Sequence, residues 1–350
     1  MTRIDEELGR RFDAALQPVE APSAAPIERR RARAASLRRA GRIVASTTAV
    51  LVIVASVVWA RTLIGNDTVS GAKPASPYPI VPATNGLIAV ADGASLWTID
   101  PTTGDLRTVP NGPDAPWHPA WSPDGSQIAV SAFPSMAARE LWVGSAEGSD
   151  GRVVATATNI GPPSWSPDGS SIAYTADTTQ GSSVHVLSLA TGEDRVVGDV
   201  IEGAAVNYFS VAFSPDGTEL LFDKGTDSGY GIFVMDVNGS DVRKVSEGSG
   251  DYNPAWSPDG TSIAFTRQEA ATESDIFVMN ADGSGVRRVT DGGPGATNLD
   301  PTWSPDGRLI AYIAGKSGGP GGLVLVRPDG SSPQTLNIAD LVGIGWQPIR

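Results

Sequence analysis

The chain has few side chains that could carry out nucleophilic or acid–base catalysis. It contains two histidines, His118 and His185, and no cysteine, whereas a hydrolase triad needs a nucleophile, a histidine base and an orienting acid. The segment GKSGG at 315–319 matches the G-x-S-x-G pattern, but Pro320 and a strand-like apolar segment follow it. A nucleophile elbow leads from a strand into a helix. We therefore predict that the chain is not an enzyme.

One segment has the spacing of a calcium-binding loop. In DVNGSDVRKVSE, loop positions 1, 3, 5 and 12 are Asp236, Asn238, Ser240 and Glu247. The glycine that the loop requires at position 6 is replaced by Asp241, and VRKV is typical of a strand. We interpret the segment as a β-turn and predict no metal site there and no cofactor. Whether a single ion binds elsewhere in the domain stays open.

A recurring five-residue motif indicates which elements position these side chains. WSPDG or FSPDG begins at five aromatic residues, and a degenerate copy, WQP, begins at a sixth: Trp121, Trp165, Phe213, Trp256, Trp303 and Trp346. The intervals are 44, 48, 43, 47 and 43 residues. This period is typical of a propeller blade with four strands.

The repeat that begins at Tyr252 shows the expected strands. Tyr252–Trp256 is predicted as the first strand, and the SPDG that follows it is a tight turn because proline and glycine suit its backbone angles. Ser262–Thr266 and Asp275–Met279 are predicted as the second and third strands. Val286–Val289 alternates apolar and charged residues, as an outer strand does.

The two ends of the domain complete each other. Residues 86–109 supply three strands without a preceding WSPDG, and the C-terminal VGIGWQPI supplies a first strand with nothing after it. Joining them closes the ring and leaves no open edge. We therefore predict an all-β fold, a six-bladed β-propeller of four-stranded blades with N/C-terminal closure, over residues 86–350.

The positions that differ between repeats are the better candidates for a binding site. The repeated aromatics recur as packing demands, and we interpret them as the core between blades. The innermost strands begin three or four residues earlier, where propellers often bind partners at the mouth of the central channel. By this position we select His118, Tyr252, Asn253 and Asp300 as binding candidates. Capping and solvation of strand ends is the alternative interpretation for each of them.

These motifs also resemble those of a known family. Copies of P-x-W-S-P-D-G, followed by I-A-[YF] and I-[FY]-V-M-[ND]-x-[DN]-G, are similar to the WD-repeat-like repeats of TolB-type propellers. That family includes the periplasmic component of the Tol–Pal system. Pro254–Gly260 together with Ile276–Gly283 is the best match. The resemblance implies a propeller that acts outside the cytoplasm.

The segment before the propeller is typical of a membrane anchor. Residues 43–60 contain no charged side chain, and seven arginines lie between Arg29 and Arg42. An apolar run of this length approaches a membrane span, and arginines mark its cytoplasmic side. We predict a basic cytoplasmic tail (1–42), a transmembrane helix (43–64), a proline-rich linker (65–85) and a propeller outside the cytoplasm. A cleaved signal peptide is the alternative.

Charge excludes one class of partner and suggests another. The formal net charge is −13, and residues 1–42 hold ten arginines against six acidic residues. The remainder therefore carries −17, which argues against binding to nucleic acid. In the tail, Ile4, Leu8, Phe12 and Leu16 form one stripe of a short amphipathic helix.

Three functions follow from these observations. The first is a membrane-anchored propeller that binds a protein or another envelope ligand without catalysis. The second is a transmembrane sensor or regulator whose tail, residues 1–42, binds a cytoplasmic regulator such as a sigma factor. The third and weakest is a hydrolase at the channel mouth, which would need an acidic partner for His118.

Overall fold

The computed structural model describes the propeller region of the chain. The described residues are 85–135, 138–148, 150–178, 181–201, 208–226, 229–316, 321–336, 338 and 340–348. The predicted tail and anchor, and all of the predicted linker except Asn85, lie outside them. In the part that is described, no helix is long and apolar enough to cross a membrane.

The described residues form β-strands joined by turns. In chain order the strands are β1 (Ile88–Ala91), β2 (Leu96–Ile99), β3 (Leu106–Thr108), β4 (Pro116–Trp121), β5 (Gln127–Ala132), β6 (Arg139–Ser145), β7 (Arg152–Ala157), β8 (Asn159–Ile160), β9 (Ser164–Trp165), β10 (Ser171–Thr178), β11 (Gly181–Ser188), β12 (Asp194–Ile201), β13 (Tyr208–Phe213), β14 (Glu219–Thr226), β15 (Gly229–Asp236), β16 (Arg243–Lys244), β17 (Asp251–Trp256), β18 (Ser262–Ala270), β19 (Glu273–Asn280), β20 (Arg287–Arg288), β21 (Ala296–Trp303), β22 (Ile310–Lys316), β23 (Gly322–Val326), β24 (Gln334–Leu336) and β25 (Gly343–Trp346).

Hydrogen bonding joins these strands into five antiparallel sheets rather than six. Four sheets hold one repeat each: β25-β1-β2-β3, β4 to β7, β8 to β12, and β13 to β16. The fifth sheet has eight strands, β17 to β24, and spans two repeats. The prediction of six separate four-stranded sheets is therefore wrong for these two repeats.

A local polar contact explains why these two repeats share a sheet. Ser274 in β19 pairs with Thr297 in β21 in the one parallel step between them. The buried carboxylate of Asp275 accepts a hydrogen bond of 2.7 Å from Asn298 Nδ2, and Ser274 Oγ donates to the carbonyl of Asn298 at 3.3 Å. These contacts hold the start of β21 beside β19.

The ends of the domain pair as the sequence indicates. β25 is antiparallel to β1, with Ile88 opposite Trp346 and Ala91 opposite Gly343. Trp346 is buried and its indole Nε1 donates to the carbonyl of Gly86 at 3.2 Å. The N/C-terminal closure is thus present, and the last strand completes the sheet that the first strands begin.

The innermost strands follow one another in a closed cycle. Consecutive contacts run from β4 to β9, β13, β17, β21 and β25, and β25 returns to β4. Gly343 lies so close to the backbone of His118 that a β-carbon there would collide with it. The inner strands of neighbouring repeats are therefore packed backbone against backbone around the axis.

The repeated aromatics form the core between repeats, as predicted. Trp165 packs with Leu141 and Val143 of the preceding repeat, and its Nε1 donates to the carbonyl of Ala120 at 3.1 Å. Truncation of a large buried aromatic side chain such as this one to alanine typically costs about 3 to 5 kcal/mol of stability. The aromatics are therefore structural anchors rather than a ligand cage.

Each SPDG turn is held by its own side chains. In the second copy, Ser166 Oγ donates to Asp168 Oδ1 at 2.6 Å, and the amide of Ser170 donates to the same oxygen at 3.0 Å. These hydrogen bonds lower the pKa of Asp168 to about 2. Gly169 closes the turn with φ of 72°, a value that glycine adopts without strain. The turn aspartates are thus committed to their own loops.

Candidate functional site

Three of the four candidate residues occupy the same special backbone position. His118, Asn253 and Asp300 have φ of 45°, 51° and 52°, in the left-handed region that non-glycine residues rarely adopt. Each lies where the inner strand loses register with its neighbour, as between Tyr252 and Ala255 in β17. A bulge of this kind re-aims the side chain that follows it. We therefore define these three residues as the axial cluster.

The side chains of the axial cluster lie next to one another although they come from three repeats. Asn253 Nδ2 donates a hydrogen bond to Asp300 Oδ1. The other oxygen of Asp300 lies 3.8 Å from His118 Nδ1, with side-chain exposures of 24% for His118 and 17% for Asp300. This separation is too long for a direct hydrogen bond. The cluster therefore presents one carboxylate oxygen without a close partner among these residues.

Burial controls the protonation of this pair. It lowers the pKa of His118, against the opposing charge of Asp300, and it raises the pKa of Asp300, against the opposing effects of His118 and Asn253. Desolvation disfavours both charged forms because water no longer solvates them. Both pKa shifts therefore favour the neutral forms of the two side chains. A neutral His118 imidazole does not balance the negative charge of Asp300 when Asp300 is ionised.

Tyr252 belongs to an adjacent aromatic group rather than to the polar contacts. Its ring centroid lies 6.4 Å from that of Tyr230, which packs edge-on to Phe209 at 5.0 Å. Burial raises the pKa of Tyr252 above its usual range. We call Phe209, Tyr230 and Tyr252 the aromatic group. The structure thus places all four predicted residues on the inner strands of three repeats, β4, β17 and β21, but their role in binding stays a prediction.

The sequence analysis missed Asp223, which lies behind the axial positions. It is fully buried in β14, and its Oδ1 accepts hydrogen bonds from the amide and the hydroxyl of Ser210. The amide of Asn253, in the next repeat, also favours its ionised form. Asp223 therefore connects the inner strand of its own repeat to that of the next.

Comparison of the repeats could have identified Asp223 from the sequence. The fifth position of the second strand is Ser131, Thr175 and Thr266 in three other repeats. The Ser131 and Thr175 hydroxyls donate to the inner-strand carbonyls of Gly161 and Phe209 at 2.6 and 3.0 Å. A carboxyl group replaces a hydroxyl at Asp223, and that break in the pattern was the available signal.

A second cluster that was missed has the composition of a catalytic triad. Ser183 Oγ lies 3.0 Å from His185 Nε2, and His185 Nδ1 lies 3.1 Å from Asp194 Oδ2. Tyr174 also donates to Asp194 Oδ2, at 2.6 Å. Burial opposes the ionised form of Asp194, but the hydrogen bonds from His185 and Tyr174 lower its pKa. Ser183 is only 3% exposed and lies where β11 loses register with β12, so no substrate reaches its hydroxyl in this conformation.

The calcium-like segment is a turn, in which Ser240 Oγ donates to Asp236 Oδ2 at 3.0 Å. In the described part of the chain, no three histidine or acidic side chains are arranged to hold a metal ion. Of GKSGG, residues 317–319 lie outside the described ranges. His185, the second histidine, is committed to Ser183 and Asp194.

Small antiparallel sheets around a closed cycle of inner strands define the chain as a β-propeller. A family model, PD40, described as the TolB beta propeller domain, matches residues 135–340. The chain therefore belongs to the TolB β-propeller family, as the repeat motifs indicate. A comparison with curated protein sequences gives no match.

Solved structures share the fold at low sequence identity. TolB from Acinetobacter baumannii is 21% identical with a TM-score of 0.64, over 75% of this chain and 67% of that one. A protein assigned as TolB from Agrobacterium tumefaciens is 22% identical with a TM-score of 0.57, over 72% and 88%. A chain of a nidogen/laminin complex is 11% identical with a TM-score of 0.62, over 75% and 99%. These likenesses concern the fold.

Asp223 makes the stability of the propeller depend on pH. Burial raises its pKa to about 7, against the hydrogen bonds from Ser210 and the Asn253 amide. A carboxyl group with a raised pKa in the folded state stabilises the fold at low pH. That contribution is lost as pH rises from the unfolded pKa, about 4, through about 7. We expect Asp223→Asn to remove this dependence, at about 1.4 kcal/mol per unit of pKa shift.

Urea denaturation followed by tryptophan fluorescence at pH 4 to 8 measures this effect. The native chain should lose stability over this range by a few kcal/mol relative to Asp223→Asn. Asp282→Asn is the control, because hydrogen bonds from Ser284 lower the pKa of the Asp282 carboxyl and it titrates below this window. Identical pH profiles for the native chain and Asp223→Asn would show that Asp223 is not the responsible group.

Proposed function

We propose that this protein is a membrane-anchored envelope protein whose propeller binds a protein or another envelope ligand outside the cytoplasm, without catalysis. Membership of the TolB propeller family supports the binding role. The apolar segment 43–64 and the arginines before it support the anchor and its orientation, with residues 1–42 in the cytoplasm. The observation that carries the proposal is the axial cluster, where three repeats differ in sequence and their side chains meet.

The propeller that we propose has six blades. Each half of the eight-stranded sheet has the order of a single repeat, β17 to β20 and β21 to β24, and one parallel pair joins the halves. The cycle of inner strands passes once through each repeat. We therefore interpret the shared sheet as two blades in contact.

The proposed binding surface is the axial cluster together with the aromatic group. Clusters of this type combine half-buried aromatic rings with a few convergent polar groups, as ligand sites commonly do. Tyrosine and tryptophan are also enriched at the centres of protein interfaces. The likeness in fold to a chain of a nidogen/laminin complex supports a protein as the ligand.

A test of this role is site-specific photo-crosslinking in intact cells. A benzophenone amino acid at Tyr252 should yield one discrete product, found in the membrane fraction and identified by mass spectrometry as an envelope protein. The same group at Val286, which is exposed immediately before the outer strand β20, should not yield that product. Equal capture at both positions, or none at Tyr252, would exclude the inner-strand face as the binding surface.

The absence of catalysis is proposed on the geometry of the triad-like cluster. Ser183 is buried, it pairs with Ala176 in β10, and it lies at the register shift between β11 and β12. We interpret Ser183, His185, Asp194 and Tyr174 as a structural hydrogen-bond network between strands. In such a network the hydroxyl is never presented to solvent for attack on a carbonyl.

A fluorophosphonate probe distinguishes this network from an active site. We expect no labelling of Ser183 in the native chain, and we expect Ser183→Ala to destabilise the fold by about 1 kcal/mol through the lost hydrogen bond. A commercial serine hydrolase serves as the positive control. Labelling of Ser183 that disappears in His185→Ala would instead establish a nucleophilic serine and refute the non-catalytic assignment.

A second candidate function is a transmembrane sensor. The stripe of Ile4, Leu8, Phe12 and Leu16 and the arginines that follow favour a tail that binds a cytoplasmic regulator such as a sigma factor. In that case the propeller would detect a ligand outside the membrane and the tail would report it. Both functions use the same binding face.

A further inference from the structure

Among the described side chains, the two carboxyl groups of the axial region, Asp223 and Asp300, have no permanently charged cation as a partner. Asp223 is fully buried there and Asp300 is half-buried. Burial lowers the pKa of His118 and so favours its neutral form. Arg267, a nearby cation, is already committed: its Nε and an Nη donate to Asp251 at 2.6 and 2.9 Å. Of the side chains that the structure describes, His118 is the only basic group within ion-pair distance of Asp300, and Asp223 has no basic group within that distance.

An unpartnered buried oxygen lies beside this region. Oδ2 of Asp223 has no hydrogen-bond partner and the residue is fully buried. Burial raises the pKa of Tyr230 and of Tyr252, and the negative charge of Asp223 raises both pKa values further. The charge of Asp300 also raises the pKa of Tyr252. A buried oxygen without a partner is costly. The field of Asp223 therefore adds to that of Asp300 at the aromatic group.

The neighbouring aromatic rings suit a cation as well. Phe209, Tyr230 and Tyr252 are half-buried, and the ring centroid of Tyr230 lies 5.0 Å from that of Phe209 and 6.4 Å from that of Tyr252. The faces of such rings attract ammonium and guanidinium groups, most strongly where water is excluded. Carboxylates and aromatic faces together therefore select a cationic organic group.

A metal ion fits this arrangement less well than an organic cation does. Asn253 turns its amide nitrogen, a donor, toward Asp300 Oδ1, whereas a hard cation prefers six or more oxygen ligands. A guanidinium or ammonium group needs one or two acceptors and tolerates donors beside it. Oδ2 of Asp300 provides such an acceptor, because His118 Nδ1 lies 3.8 Å away, too far for a hydrogen bond.

We propose that the axial cluster binds a cationic side chain of the protein partner, an arginine or a lysine. Asp300 supplies the charge-assisted hydrogen bond, Asn253 orients Asp300, and the aromatic group covers the apolar part of the side chain. In its ionised form, Asp223 adds a negative field from behind. This inference rests on the proposed function and names the chemistry by which the face recognises its ligand.

The test uses N-acetylargininamide and its uncharged isostere N-acetylcitrullinamide as probes. Saturation-transfer NMR with the full chain should show that the arginine analogue binds at least about tenfold more tightly than the citrulline analogue. Asp300→Asn should reduce the difference to less than about threefold, which is small beside a charge-assisted hydrogen bond. Asparagine adopts the left-handed conformation readily, so this variant should fold.

Two further variants make the result specific. Asp223→Asn should weaken binding of the arginine analogue without abolishing it, because it removes a background charge and no direct contact. Asp282→Asn, in an exposed outer turn, should leave binding unchanged. Equal affinity for the two analogues, unchanged binding in Asp300→Asn, or no binding of the arginine analogue at its solubility limit would each overturn the assignment.

These outcomes are separable from those of the proposed function. If crosslinking from Tyr252 captures an envelope protein while Asp300 has no effect on the arginine analogue, the face binds a protein but does not recognise a cation. If Tyr252 captures nothing, the protein-binding role itself fails. If both experiments succeed, the cationic residue should be sought in the peptide that is crosslinked to Tyr252.

Discussion

The pairing of β25 with β1 is the constraint on which the rest of the structure depends. It joins residues 260 or so positions apart and completes a sheet that neither end of the domain could form separately. Without it, β1 would expose an unpaired edge, which invites association with other chains. With it, the inner strands form a closed cycle. Closure also places Gly343 against the backbone of His118, and so fixes one side of the axial cluster.

The axial cluster follows from the way in which closed inner strands must pack. Backbones that approach closely at the axis leave little room for regular pairing, and the strands bulge at His118, Asn253 and Asp300, where φ is positive. Such a conformation costs of order 1 kcal/mol or more for a non-glycine residue. The cost is offset by the hydrogen bond between Asn253 and Asp300 and by the Asp223 contacts behind them. Backbone strain and a carboxyl group without a close cationic partner therefore occur at the same place, which is typical of functional sites.

The periodic features could be predicted from the sequence because the same motif recurs in several repeats, so each copy supports the interpretation of the others. The SPDG turns and the aromatic core are encoded locally and recur five or six times, and the incomplete repeats at the two ends of the domain indicate the closure. The shared sheet was not predictable in this way, because among the described residues the contact between Asp275 and Asn298 joins just this pair of repeats. The candidate residues were identified from their position in the repeat. That position does not show which side chains they contact. Asp223 and the Ser183–His185 contact lie on second and third strands, where the repeats differ at single positions and the recurring motifs carry no signal.

The central claim is that side chains from separate repeats are coupled into one site at the axis. A double-mutant cycle between Asn253 and Asp300 measures that coupling directly, with glycine at both positions because glycine adopts the positive φ freely. We expect an interaction free energy of about 1 to 3 kcal/mol in urea denaturation, the range for a hydrogen bond to a charged group. The pair Asn253 and Asp282 should give a value near zero. A coupling between Asn253 and Asp300 that is equally close to zero would contradict the existence of a connected axial site.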